Sequence, residues 1–258
     1  MEISSFFSGF KNVSLWWRLA WADMNQIYRR SLVGIFWISL SFVMFIGVKI
    51  YIFSEMLVDL DMRMYALWVI IGYAIWQFIT QSVNDACGVF VSSKSWILGT
   101  NLSFGTYVAQ NITRHLIGFF MVSLISLIAI IYLQYEQGWV TWTIIPGFFV
   151  LILNSIWVHI VLGIIATRFR DILHLVRAIM HVMFFLTPIL YLPRQLGPKA
   201  VIMDYNPFTH YLAIIREPIV NGRISELAWI VVACITVGGW LVALYLLKTK
   251  SRNVVFWI

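Results

Sequence analysis

Hydrophobic residues run through this chain in long stretches that only short polar segments interrupt. Six stretches are about 20 residues long, the length that a helix needs to cross the hydrocarbon core of a bilayer. They cover residues 34–53, 64–84, 107–133, 144–167, 175–192 and 227–247. The strands of an outer-membrane barrel are roughly 10 residues long and alternate in polarity, whereas these stretches are longer and do not alternate. The pattern therefore predicts an all-α integral membrane protein with six transmembrane helices.

The segment after the fifth stretch is broken by proline. Pro188 interrupts the end of that stretch, and four more prolines follow before Ile219. The segment is too broken to span a bilayer and too apolar for a solvated loop, because residues 208–215 are mostly hydrophobic. Non-helical backbone is tolerated at membrane depth only where protein or water covers it. We therefore predict short re-entrant helices in a segment at residues 193–226, which either forms a gate on the outer side or plugs the bundle.

The residues before the first stretch follow a helical period. From residue 14 to residue 30, the apolar side chains, three tryptophans among them, fall mainly on one face. Tryptophan suits the interface between membrane and water, because one edge of its ring is apolar and the other is polar. Residues 1–33 are thus predicted to form an amphipathic segment on the membrane surface, which either couples a soluble partner or only anchors the chain. Residues 34–258 are predicted to form the transmembrane domain.

Composition and charge agree with this organisation. Hydrophobic residues make up 61% of the chain and charged residues 11%, whereas soluble domains carry about 25% charged residues. Both chain ends and the loops on their side hold twelve Lys and Arg against four acidic residues. Since positive loops stay in the cytoplasm, we expect both termini to be cytoplasmic.

Candidate catalytic and ligand-binding motifs are weak. Residues 88–95 have the spacing of a phosphate-binding loop, but Ser93 stands where the second glycine should let the backbone wrap the phosphate. A metal site needs three or four converging ligands, and the histidines have no such neighbours in sequence. His159, near Asn154 and Ser155, is expected to bond to a neighbouring helix. We expect this chain to have no catalytic residues and to bind no cofactor, so that any ATP and Mg²⁺ would sit on a separate chain.

Four local motifs, in order along the chain, resemble those of one family. They are YRRSLVGIFW at residues 28–37, RFRDI at 168–172, TPILY at 187–191 and YNPF at 205–208. The chain resembles the membrane subunit of ATP-binding-cassette exporters for lipid-linked polysaccharides and polyol phosphates. The RFRDI segment fits the O-antigen and teichoic-acid branches better than the capsule branch.

The resemblance implies a permease in the bacterial cytoplasmic membrane, working with a second copy of itself and two nucleotide-binding ATPase subunits. The implied substrate is a lipid-linked polysaccharide, and the O-antigen type fits best. Nucleic acid is not expected as a partner. Sugar rings stack on aromatic side chains, so aromatic residues suit the substrate passage. The candidate passage residues are Trp37, Phe45, Tyr51, Tyr73, Trp76, Phe184 and Tyr191. The candidate coupling residues, on the cytoplasmic side, are Arg29, Arg30, Lys94, Arg168, Arg170 and Asp171.

Two alternatives stay open at this point. A membrane-embedded transferase acting on lipid-linked sugars would need a convergent acid, base or metal constellation, and no such pattern is evident in the sequence. An ABC permease for a small drug or lipid would share the six spans. The aromatic content and the broken outer segment favour the polysaccharide exporter.

Overall fold

The computed structural model describes residues 3–54, 61–133 and 138–258, and within these ranges all regular structure is helical. Five helices are long and apolar enough to cross a membrane: Gly34–Phe53, Met62–Ala86, Phe104–Tyr132, Trp139–Arg168 and Glu226–Ser251. They match five of the six predicted spans. The helices are α1 (Ile3–Lys11), α2 (Val13–Ile27), α3 (Trp37–Ser54), α4 (Met62–Ala86), α5 (Val89–Ser92), α6 (Lys94–Gly99), α7 (Phe104–Tyr132), α8 (Ile144–Arg168), α9 (Ile172–Leu186), α10 (Val201–Asp204), α11 (Pro207–Val220) and α12 (Glu226–Trp257).

The fifth predicted span is shorter than the sequence indicated. Helix α9 has 15 residues and ends at Leu186, whereas the apolar stretch runs on to residue 192. The reason is Pro188, because a residue before proline is pushed out of the helical region, and Thr187 is extended at φ −95° and ψ 133°. The residues that follow are non-helical as far as the 3₁₀ turn Pro193–Ala200.

The predicted amphipathic segment forms two helices rather than one. Helix α2 covers most of residues 14–30, where the helical period was found, and α1 precedes it at residues for which no helix was predicted. Ala20 and Met24 of α2 are buried against α7, whereas Trp17 and Trp21 remain nearly half exposed. The apolar face of α2 is therefore divided between the protein and its surroundings, and its place on a membrane surface stays a prediction.

Helix α4 is the central element of the bundle. It packs against α3, α7, α8, α9 and α11, and 14 of its 25 residues are buried. Helix α11 runs antiparallel to its first half, because Phe208 contacts Trp76 while Arg216 lies over Trp68. Leu212 faces Gly72 between these two contacts. Helix α11 therefore begins near the middle of the bundle and ends close to the start of α4.

Helix α1 and the end of α12 lie at the same end of the bundle. An apolar core separate from the one around α4 joins Phe6 of α1 and Phe90 of α5 to Leu247 and Val254 of α12. Gly9 and Gly105 allow α1 to cross the start of α7 so closely that an added Cβ atom would collide with backbone. We call the end of the bundle that holds α1 and the end of α12 the terminal end, and we call the opposite end the far end.

Candidate functional site

Four of the predicted passage residues form a continuous aromatic cluster. The Phe45 ring stacks on Tyr73 with 4.4 Å between centroids, and Tyr73 meets Phe184 edge-on at 6.4 Å. Phe184 lies 5.9 Å from Trp76, which in turn meets Phe208 at 5.5 Å. These rings connect α3, α4, α9 and α11.

The other three predicted passage residues lie apart from this cluster. Trp37 begins α3 and is 40% exposed, and Tyr51, near the other end of α3, is 77% exposed. Tyr191 follows α9, and its hydroxyl donates a 2.8 Å hydrogen bond to the Phe185 carbonyl. Their role in a passage stays a prediction, as does that of the clustered rings.

Buried side chains cover the non-helical segment after α9. The Arg216 guanidinium donates a 2.6 Å hydrogen bond from Nη1 to the Pro188 carbonyl, and the Tyr65 hydroxyl donates to the Leu190 carbonyl at 2.8 Å. Asn206 Nδ2 donates to Thr187 Oγ1 at 2.9 Å. Unpaired backbone carbonyls are costly at membrane depth, so these bonds allow the helix to break inside the bundle.

Arg216 is the largest fully buried side chain among the described residues. It is 1% exposed, and its guanidinium carbon lies 3.4 Å from the centroid of the Trp68 ring. Sequence reasoning placed this cation in the outer segment and gave it no role. Its partners lie 28 and 148 residues away in sequence, so no local pattern connects them to it.

A polar cluster lies between α4, α7 and α8. Arg114 Nη2 donates a 2.7 Å bond to Asp85 Oδ2, and His115 Nε2 lies 3.4 Å from the same oxygen. Asn111 Oδ1 lies 3.0 Å from His115 Nε2 and 2.9 Å from His159 Nε2. His159 thus bonds to a neighbouring helix, as its sequence context predicted.

Beside this cluster the structure opens a polar crevice of about 660 Å³, between α2, α3, α4 and α7. Along α4 it is lined by Gln77, Gln81 and Asp85, spaced four residues apart and therefore on one helix face. That spacing is visible in the sequence, but the crevice itself depends on where α2 and α3 lie. Its full lining is Met24, Ile27, Tyr28, Trp37, Ile38, Ser41, Gln77, Gln81, Asp85, Arg114, His115 and Gly118.

The six predicted coupling residues are all exposed, and all lie in loops or at helix ends of the terminal end. Arg29 and Arg30 follow α2, Lys94 begins α6, and Arg168, Arg170 and Asp171 join α8 to α9. Arg168 contacts the rings of Phe169 and Trp257, at 5.9 and 5.5 Å to their centroids. The sequence predicted exposed cations here, and in the described part of the chain these side chains leave a mainly cationic surface.

Comparison with known proteins gives two relatives. Both are O-antigen export system permease proteins named RfbA from Klebsiella pneumoniae, 23% and 22% identical over 208 residues. Each alignment covers 79% of this chain and 79% of the relative. The resemblance to O-antigen export permeases is confirmed. No protein-family model matches the chain.

The similarity to these permeases and the five apolar helices together describe a multi-pass membrane protein of the transport class. The alignment spans most of the bundle, so the similarity concerns the architecture and not one motif. At this level of identity, the roles of individual side chains rest on their geometry. The crevice, the covered break after α9 and the cationic surface are the features that a permease function has to explain.

Proposed function

We propose that this chain is the permease subunit of an ATP-driven exporter, which moves lipid-linked polysaccharide of the O-antigen type across the bacterial cytoplasmic membrane. The observation that carries the proposal is the similarity, over 79% of the chain, to two O-antigen export system permeases. In the proposed assembly, two copies of the chain work with two separate ATPase subunits, which bind the ATP and Mg²⁺. Both termini are cytoplasmic, so the terminal end of the bundle faces the cytoplasm.

The proposed assembly has six spans, the fifth of which is composite. Helix α9 is about 22 Å long at 1.5 Å per residue, less than the roughly 30 Å of the hydrocarbon core. The six non-helical residues 187–192 continue its path towards the far end, since the Leu190 carbonyl is bonded by Tyr65 near the start of α4. The carbonyls of Pro188 and Leu190 are bonded by Arg216 and Tyr65, which supports a path through the membrane interior. Helix α11, which begins near the middle of the bundle, is then a re-entrant helix.

The cationic surface is the proposed contact with the ATPase. It includes residues of α6 and of the α8–α9 connection at the terminal end. Helices α1 and α2, which pack against α7, lie beside it. Because α2 packs along α7, a movement of the ATPase against this surface is transmitted to α7, a spanning helix. Charge reversal at Lys94 and Arg170 together should lower co-purification of the ATPase, whereas reversal at the exposed Arg223 of the far end should not.

The second copy is proposed to face the exposed side of α9 across a water-filled passage. Arg177 and His181 are exposed there, and His181 lies roughly 14 Å from the start of the helix. Ionisable side chains at such depth face protein or water and not lipid. A cysteine at position 181 should therefore react with a membrane-impermeant thiol reagent in the assembled transporter. A cysteine replacing Leu241, which is 64% exposed near the middle of α12, should not react. Equal reactivity at the two positions would argue against the paired arrangement.

Transport in inverted membrane vesicles tests the function directly. Vesicles that contain this chain and the ATPase encoded with it should take up lipid-linked polysaccharide in an ATP-dependent manner. Vesicles with either subunit alone should not. If the pair transports a small drug or a simple lipid and leaves the polysaccharide outside, the proposed substrate class is wrong.

A further inference from the structure

The polar crevice has two walls of different chemistry. One wall carries amide and carboxylate groups from α4, and Gln77 and Asp85 lie about 12 Å apart along that helix. The facing elements contribute the rings of Tyr28, at the end of α2, and Trp37, at the start of α3. At about 660 Å³ the crevice falls within the range of ligand sites, about 300–1,000 Å³.

Among the described residues, the α4 wall keeps hydrogen-bonding groups that no other residue satisfies. Gln77 Oε1 is buried and has no hydrogen-bond partner among the described residues. Buried polar atoms in proteins nearly always have a partner, so an acceptor of this kind beside a cavity indicates a ligand that donates a hydrogen bond. The neighbouring Gln81 is exposed and adds both a donor and an acceptor.

The charges in the crevice compensate one another. Asp85 is held by Arg114 at 2.7 Å and lies 3.4 Å from His115, so its carboxylate is already engaged. The remaining polar lining groups, including Ser41, are neutral amides and hydroxyls. A wall of neutral hydrogen-bonding groups opposite aromatic rings suits a polyhydroxylated, uncharged ligand better than a phosphate, which would call for unpaired cations. Carbohydrate has this chemistry.

The surroundings of the crevice suit a ligand that also carries a lipid tail. Helix α3 forms one side of it through Trp37, Ile38 and Ser41. The same helix exposes apolar side chains such as Leu40 and Met44, which are 40% and 59% accessible. A tail can therefore stay against α3 in the bilayer while the sugar enters beside it.

We propose that this crevice binds the sugars next to the lipid carrier, on the cytoplasmic side, before the chain is exported. A sugar ring packs against Trp37, and its hydroxyls bond to Gln77 and Gln81. The inference rests on the proposed export function, because it specifies where that substrate is first bound.

Photocrosslinking in the complete transporter tests the site. The probe is the host strain's own lipid-linked polysaccharide, radiolabelled in its sugars, and the assay is run without ATP. A photoreactive amino acid at Ile38, which lines the crevice, should crosslink to the probe. The same amino acid at Val43, which is 48% exposed elsewhere on α3, should give little sugar label.

Substitutions in the wall give the quantitative test. Replacing both Gln77 and Gln81 by Leu should lower crosslinking at position 38 at least about fivefold, since each lost hydrogen bond weakens binding by roughly 2- to 10-fold. Thr80→Val is the matched control, because Thr80 on the same helix also has a buried oxygen without a partner among the described residues but does not line the crevice. It should crosslink like the parent. Unchanged crosslinking in the double variant would overturn the proposal.

Competition identifies the part of the ligand that is bound. Water-soluble polysaccharide released from the carrier should reduce crosslinking at position 38, whereas the sugar-free lipid carrier phosphate should reduce it far less. The opposite order would mean that the crevice holds the carrier and not the sugar. ATP-dependent uptake by the parent is measured in the same preparation. If uptake is present and the site variants behave like the parent, only the crevice assignment fails; if uptake is absent, the export function itself fails.

Discussion

The stability of the fold should depend strongly on which side chain occupies the buried position 216. It donates a 2.6 Å bond to the Pro188 carbonyl and stacks at 3.4 Å on Trp68, and it is 1% exposed. A hydrogen bond from a charged group contributes about 1.5–3 kcal/mol, and a desolvated cation–π contact adds about 2 kcal/mol. Against these gains stands the cost of burying the guanidinium, whose Nε has no partner among the described residues.

Two substitutions separate these terms. Arg216→Met removes the charge together with its desolvation cost, and it leaves the Pro188 carbonyl unpaired, so we expect a net loss of about 1–3 kcal/mol. Arg216→Lys keeps a buried charge but loses the planar group that both donates and stacks. A buried charge that loses its partners costs about 3–5 kcal/mol. The lysine variant should therefore be the less stable of the two, although it is the more conservative by charge.

Thermal unfolding of the detergent-purified chain measures the difference. For chains of this size, 1 kcal/mol shifts the Tm by about 2–4 °C, so Met should lower the Tm by a few degrees and Lys by about 10 °C. Arg223→Met is the control, because the Arg223 side chain is 73% exposed and its ion pair with Glu217 should contribute at most about 1 kcal/mol. If Arg216→Met and Arg223→Met lower the Tm equally, or if Lys is tolerated better than Met, the role given to Arg216 is refuted.

Three further expectations concern topology, the aromatic residues and the N-terminal helix. Cysteines at Lys94 and Lys199 should be labelled from the cytoplasm and from outside, respectively; labelling of position 94 from outside would contradict the six-span arrangement. Trp76→Ala should lower both expression and export, because truncating a buried aromatic costs about 3–5 kcal/mol and Trp76 is 4% exposed. Tyr51→Ala, at a position 77% exposed, should keep expression and slow export if this ring lines the passage; normal export would remove Tyr51 from the passage. Gly105→Ala should displace α1, because the added Cβ atom meets the backbone of Phe6, and faster proteolysis of the N-terminus than in the parent would report it.

The spans were predictable because continuous apolar character is a local property of the sequence. The early end of α9 was also marked, since Pro188 determines the conformation of Thr187 directly. Helix α1 was not predicted, because what holds it is a close crossing of Gly9 over Gly105 that only the tertiary structure shows. Arg216 was placed in the outer segment by its charge and its position after the fifth stretch, and neither indicates that its side chain is buried.

The candidate sites were less accessible to sequence reasoning, for a related reason. Composition drew attention to aromatic residues, and four of the seven do meet in one cluster, but it could not separate buried Trp76 from exposed Tyr51. The polar spacing of Gln77, Gln81 and Asp85 was present in an otherwise apolar stretch. Only the structure shows that these three side chains line a crevice, because the crevice depends on where α2 and α3 lie.

The packing also limits where a polymer can pass. In the half of the bundle towards the far end, α11 fills the space between α4, α8 and α12, with Leu212 and Ile214 fully buried. An apolar cavity between these helices measures only about 270 Å³, and Phe208 and Tyr211 form part of its wall. Next to the crevice, the space between α4 and α7 measures only about 10 Å³, so a sugar chain that starts in the crevice would have to separate these helices to continue through a single copy. The exposed faces of α3 and α9 flank Tyr73, which contacts both Phe45 and Phe184. We therefore expect the polymer, once ATP drives export, to leave the crevice along these two faces, where a second copy would close the passage, and not through the core of one chain.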